Sequence, residues 1–126
     1  MIVGIGSDII KIQRIADSFE RLGERFVKRI LSVEELVLFN HHSNPIAFLA
    51  KRFAAKEAAG KALGVGIGQG ISWTEIIVTN DELGAPSLKF VGQAKAWCDR
   101  KNVNASHVSL SDEQEFAVAF VVLESH

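Results

Sequence analysis

Arg52-Phe53-Ala54-Ala55-Lys56-Glu57-Ala58-Ala59-Gly60-Lys61-Ala62-Leu63-Gly64 is the stretch on which the fold turns. It reads as the C-terminal half of a helix. Alanine and leucine favour that state, and Gly64, opening a glycine-rich run, ends it. Upstream, Asn44 suits the N-cap and Pro45 the first helical position. At helical spacing Phe53, Glu57, Gly60, Lys61 and Gly64 fall on one side. That side carries a carboxylate, an ammonium one turn later, and two residues without bulk. A metal-bound phosphate ester can approach such a surface closely. The same spacing also describes an ordinary exposed Glu57–Lys61 pair, worth about 0.2–0.5 kcal/mol to the helix.

Working outward, the 126-residue chain fits one domain, 1–126, with a sizeable core. Hydrophobic residues make up 48% and charged residues 23%, as in ordinary globular proteins. A net charge of −1 provides no global basic field to draw in nucleic acid. Cys98 is the sole cysteine, so neither an intrachain disulfide nor a multi-cysteine metal site can form. That suits a reducing, cytoplasmic setting. Met1-Ile2-Val3-Gly4 has neither the basic start nor the apolar run of a secretory signal. No segment has the apolar length of a membrane span.

Ile2 to Ile10 is rich in β-branched residues and predicts a strand. Gly4 and Gly6 alternate within it and can let another backbone or a ligand come close. Asp8, at the end of this strand, suits a turn or the N-cap of the next helix. Gly4-Ile5-Gly6-Ser7-Asp8-Ile9 lacks the third glycine of a dinucleotide-binding fingerprint. From Lys11 the period becomes helical, with Ile12, Ile15, Phe19 and Leu22 as the apolar stripe and Gly23 as a break. Lys11 to Arg29 holds six basic residues (among them Arg14, Arg21, Arg25, Lys28 and Arg29) against three acidic ones. Such a run is either a solvated face or a dock for an acidic partner.

Ser32-Val33-Glu34-Glu35 has the form of a capping box, opening a short helix through about Phe39. His41-His42 follows in a loop, where two adjacent histidines without a cysteine make a poor metal site. After the long helix, Gly64, Gly66, Gly68 and Gly70 form an irregular loop, either a connector or a backbone lying against a ligand. Trp73 to Thr79 predicts a strand, Asn80 to Gly84 a turn, and Ser87 to Phe90 a short strand. Gly92 to Lys101 predicts a helix with Ala94, Trp97 and Cys98 inward. Ala105 to Ser111 and Phe116 to Leu123 predict a hairpin, with His107 on its first strand. The pattern is α+β, with helices segregated from mostly antiparallel strands. The last strand is apolar on both faces. One face can pack under the helices. The other, at Val121 or its neighbours, needs cover, either from copies of itself or from helices of the same chain.

Gly4-Ile5-Gly6-Ser7-Asp8-Ile9 with Arg14-Ile15 resembles the first motif of holo-acyl-carrier-protein synthases, the small bacterial-type 4′-phosphopantetheinyl transferases. Arg52-Phe53-Ala54-Ala55-Lys56-Glu57-Ala58 with Lys61 and Gly64 resembles their second motif, and His107 to Val122 their C-terminal region. The likeness runs over nearly the whole chain in the family's order. Many relatives have histidine where Asp112 stands and tyrosine where Phe116 stands.

The resemblance implies a mostly antiparallel sheet with one long central helix packed on it, assembled as a homotrimer with sites between subunits. It implies transfer of the 4′-phosphopantetheine arm of coenzyme A to a serine of apo acyl carrier protein, in support of fatty acid biosynthesis. Adenosine 3′,5′-bisphosphate would be the other product. Asp8 and Glu57 would hold Mg²⁺, an ion that commonly takes one or two carboxylates plus substrate phosphate. Glu57 and Lys61 would be catalytic. Arg52, Lys61, Gly64 and His107 would meet coenzyme A, and Arg14 and Arg21 the acidic carrier. Two rivals stand beside this: a non-catalytic adaptor holding an acidic partner through the basic helix, and a transferase serving another carrier domain. An adaptor has no need of a carboxylate pair with a phosphate-binding lysine.

Overall fold

The alternation of small and large residues in strand β5 (Phe116–Glu124) organises the structure, a computed structural model that describes residues 1–126. Ala117, Ala119, Val121 and Leu123 are fully buried, whereas Phe116, Val118 and Phe120 on the opposite face are exposed. β5 is the middle strand of an antiparallel sheet. It pairs on one side with β1 (Ile2–Lys11) and on the other with β4 (Ala105–Asp112).

Helix α4 (Pro45–Leu63) lies on the buried face, against β1 and β5. Its bounds follow from its caps. The Asn44 side chain accepts from the Ala47 N–H at 3.3 Å, Pro45 opens the first turn, and Gly64 closes the helix in a left-handed conformation at φ 78°. Gly4 and Gly6 explain how closely β1 approaches it. A Cβ on Gly4 would fall on the Ala62 carbonyl, and one on Gly6 on the Ala58 carbonyl. Only bare backbone fits there.

Helices α1 (Ile12–Leu22), α2 (Glu24–Ile30) and α3 (Val33–His41) join β1 to α4. Gly23, at φ 62°, separates the first two. The expected capping box opens α3: Ser32 Oγ accepts from the Glu35 N–H, and Glu35 Oε1 from the Ser32 N–H. After the glycine loop come a 3-10 turn (Trp73–Glu75) and a second antiparallel sheet of β2 (Ile76–Asn80) and β3 (Pro86–Phe90). Helix α5 (Gly92–Arg100) precedes β4, with Ala94 and Cys98 buried.

The α+β class and the antiparallel pairing match the expectation, but the strands form two sheets, not one. Four local expectations need correction. β1 runs three residues past Asp8 and ends at Lys11, so Asp8 is a strand residue and no helix cap. His41 closes α3, its Nδ1 donating to the Val37 carbonyl, so it lies in the helix and not in a loop. Trp73 to Glu75 is a 3-10 turn because Glu75 reaches back to the Ser72 N–H at 2.9 Å. Val121 faces α4, so it cannot belong to a self-packing face. The uncovered side of the sheet carries Ile5 at 60%, Ile9 at 63% and Phe120 at 47% exposure.

Candidate active site

Asp8 and Glu57 come together because β1 lies directly on α4. Asp8 pairs with Ala119 in the sheet and points to the helix side. Glu57 and Lys61 stand one turn apart on α4. The Lys61 ammonium donates to the Ser7 carbonyl at 2.9 Å and to Asp8 Oδ1 at 3.2 Å. Burial pushes the Glu57 carboxyl above its ordinary pKa, and the Asp8 carboxylate pushes it further. The nearby Trp73 side chain and the Lys61 ammonium pull the other way. The site is thus two mutually repelling carboxylates and a single ammonium.

A divalent cation relieves that repulsion, and the two carboxylates are hard oxygen donors of the kind Mg²⁺ takes. No cluster of three or more His, Cys, Asp or Glu side chains suited to an ion occurs in the chain. Two carboxylates alone would leave most positions around such an ion to water and other oxygen donors.

The other expected residues lie at varying distances from this cluster. Gly64 ends α4, and Lys101 sits beside it, its Nζ donating to the Leu63 carbonyl at 2.5 Å. Arg52 is only 4% exposed. Its Nη2 donates to the Val78 carbonyl at 3.2 Å and to Asn80 Oδ1 at 3.1 Å, and its guanidinium stacks 4.1 Å above the Phe48 ring. Burial lowers its pKa, with Glu35 opposing. Arg52 also forms part of the wall of a groove of about 710 Å³, with Lys51, His42, Asn80 and Pro86.

His107 departs most from expectation. It pairs with Val122 on the uncovered face, and its Nε2 lies 2.5 Å from Glu124 Oε1, which holds the Glu124 carboxyl below its usual range. The sheet separates it from the Asp8 of its own chain. Asp112 pairs with Lys51 at 3.3 Å. Arg14 and Arg21 are exposed on α1, and neither is in an ion pair.

A buried charge network joins α3, α4 and β2, and sequence reasoning missed it. Lys56 is fully buried, donating to Glu35 Oε1 and to the Ile30 carbonyl, both at 2.6 Å. Glu35 Oε2 accepts from the Val78 N–H at 3.0 Å and lies 3.3 Å from Arg52 Nε as an ion pair, outside hydrogen-bond geometry. Burial lowers the Lys56 pKa, against the pull of Glu35. The only available sign was helical spacing: Arg52 and Lys56 recur on an otherwise apolar face of α4, one turn apart. Trp73, read as a strand residue, also belongs to the site.

A family profile described as the 4′-phosphopantetheinyl transferase superfamily matches residues 4–121. A holo-[acyl-carrier-protein] synthase of Alteromonas mediterranea is 52% identical over 124 residues, covering 98% of each chain. The crystal structure of the Neisseria meningitidis synthase superposes with a TM-score of 0.93 at 40% identity, over 99% of this chain and 100% of that one. The Helicobacter pylori synthase, solved in complex with coenzyme A, superposes at 0.84 with 35% identity, over 95% and 99% of the two chains.

Proposed function

The chain belongs to the 4′-phosphopantetheinyl transferase superfamily as an enzyme of the holo-[acyl-carrier-protein] synthase type, and from that we propose Mg²⁺-dependent transfer of the phosphopantetheine arm of coenzyme A to a serine of apo acyl carrier protein. The observation that carries this reading is the meeting of Asp8, Glu57 and Lys61 where β1 lies on α4. The same reading makes the chain a cytoplasmic enzyme of fatty acid biosynthesis.

Asp8 and Glu57 hold the ion in this proposal. When bound, Mg²⁺ neutralises pyrophosphate charge and polarises the phosphorus under attack. The serine oxygen bonds to the β-phosphorus. The bond from that phosphorus to the bridging oxygen breaks, and adenosine 3′,5′-bisphosphate leaves with the electron pair. The serine proton passes to Glu57 or to solvent. Lys61, whose ammonium lies 3.2 Å from Asp8 Oδ1, would contact the phosphates and stabilise the departing charge. Arg52, Gly64 and His107 serve the nucleotide end. Arg14 and Arg21 steer the acidic carrier, with exposed charges raising association rate more than affinity.

The proposal includes a homotrimer. The uncovered apolar face supports it, because exposed patches of this kind mark self-association. His107 supports it too, since on that face it can reach only a neighbour's cluster. The test of the activity is direct. The protein is incubated with apo acyl carrier protein, coenzyme A and Mg²⁺, and mass spectrometry follows the carrier. One added arm per carrier is expected. An unmodified carrier would contradict the assignment, and modification of only a different carrier domain would redirect it. Arg14→Glu and Arg21→Glu should impair carrier use far more than coenzyme A use.

A further inference from the structure

Trp73 is one of two tryptophans, and nothing in the transfer chemistry above uses it. Its ring stacks on Phe53, with centroids 5.9 Å apart and planes 29° apart. Phe53 precedes Glu57 by one turn on α4, so the stack places the indole on the side of the helix that carries that carboxylate. The indole Nε1 is buried and has no hydrogen-bond partner. A buried donor without an acceptor costs stability, and native structures keep few of them.

The turn that carries Trp73 is tied down at both ends. Glu75 accepts from the Ser72 N–H through Oε1 and from the Gln93 N–H, at the start of α5, through Oε2 at 2.7 Å. The indole is therefore held from outside by α5 and from inside by Phe53.

We propose that Trp73 is a positioning residue: its indole N–H donates to one oxygen of Glu57 and leaves the other to the metal ion. This rests on the reading of Asp8 and Glu57 as Mg²⁺ ligands. Indole suits the task because it donates and cannot accept. It cannot compete with the carboxylate for the cation or draw Lys61 away. A carboxylate fixed at one oxygen binds through the other alone, which keeps positions open for water and phosphate. Outer partners of this kind typically change metal affinity or activity about 10- to 100-fold when removed.

The experiment compares Trp73→Phe with the parent, since phenylalanine keeps a ring on Phe53 and loses only the N–H. Binding of Mn²⁺ alone, followed by its paramagnetic resonance, should weaken about 10-fold in Trp73→Phe. The Mg²⁺ concentration for half-maximal transfer should rise by the same factor, with kcat at saturating metal close to the parent's. A second protein, Trp97→Phe, leaves Trp73 as the sole fluorophore. Mn²⁺ should quench it saturably, and Glu57→Gln in that background should abolish the quenching. Parental Mn²⁺ affinity in folded Trp73→Phe would overturn the positioning role and leave the metal site standing. A flat Trp73 response, in a protein that binds Mn²⁺, would overturn it as well. Absence of Mn²⁺ binding by the parent would instead remove the metal reading, and this role with it.

Discussion

Asp8 and His107 stand on opposite faces of one three-stranded sheet. Asp8 pairs with Ala119, which is fully buried against α4, and His107 pairs with Val122 on the uncovered side. Strand alternation fixes this relationship whatever the side-chain rotamers. No single chain can bring His107 to its own Asp8–Glu57 cluster. The two meet only if the uncovered face packs on another copy.

Substitutions at two neighbouring positions of β5 should therefore fail in different ways. Phe120→Glu places a charge on the uncovered face and should give folded monomers that transfer poorly. Val121→Asp places one beneath α4, where an unpaired buried charge is not tolerated, and should not fold. Light scattering with circular dichroism separates the two outcomes. A fully active Phe120→Glu monomer would contradict the shared site.

The buried network predicts a sharp contrast with surface charge. Glu35→Ala strands Lys56 and Arg52 and removes the acceptor of the Val78 N–H. Loss of one partner from such a group costs about 3–5 kcal/mol. Lys28→Ala breaks an exposed pair to Glu24 at 3.9 Å and should cost about 0–1 kcal/mol. Urea unfolding of both variants measures the difference, and similar midpoints would show that the network contributes little.

Close backbone contact predicts a second contrast, between two glycines. Gly6→Ala forces a methyl onto the Ala58 carbonyl, which no rotamer change relieves. Overpacking of this kind costs about 1–3 kcal/mol. It also lifts β1 from α4, so transfer should fall along with the melting temperature. Gly66→Ala meets nothing within 4 Å and should be silent in both measurements.

These contrasts also mark what the sequence could convey. The ends of α4 were legible because Asn44, Pro45 and Gly64 act locally, each through its own backbone geometry. The Gly4 and Gly6 contact was legible as a need for closeness, though not which helix would supply it. The end of β1 was legible to within one residue from the change of period at Lys11, although no side chain caps α1. Glu35 looked fully explained by its capping box. Its second use, receiving Lys56 across 21 positions of sequence, is a tertiary event without a local signature. The cluster of Asp8, Glu57 and Lys61 was legible through resemblance, whereas Trp73 was hidden by a β-favouring composition in a turn set by Glu75.

The raised pKa of Glu57 yields a prediction about stability as well as chemistry. A carboxyl whose pKa rises on folding binds its proton more tightly in the folded chain than in the unfolded one. The associated stability is fully present below the ordinary glutamate value of about 4.3 and is lost as pH rises through the raised value. Glu57→Gln removes the charge and keeps the shape. In chelator at neutral pH it should melt higher than the parent, and that advantage should shrink in acid. Added Mg²⁺ should stabilise the parent and leave the variant unmoved. A lower melting temperature for Glu57→Gln at neutral pH would contradict the balance of burial and repulsion described for this site.

The decisive measurement is the rate of arm transfer by Glu57→Ala at saturating coenzyme A, carrier and Mg²⁺. With Glu57 both a ligand and a part of the catalytic cluster, correctly folded Glu57→Ala, like Asp8→Ala, should lose nearly all transfer, and chelator should do the same to the parent reversibly. Turnover by folded Glu57→Ala close to the parental rate would contradict the account.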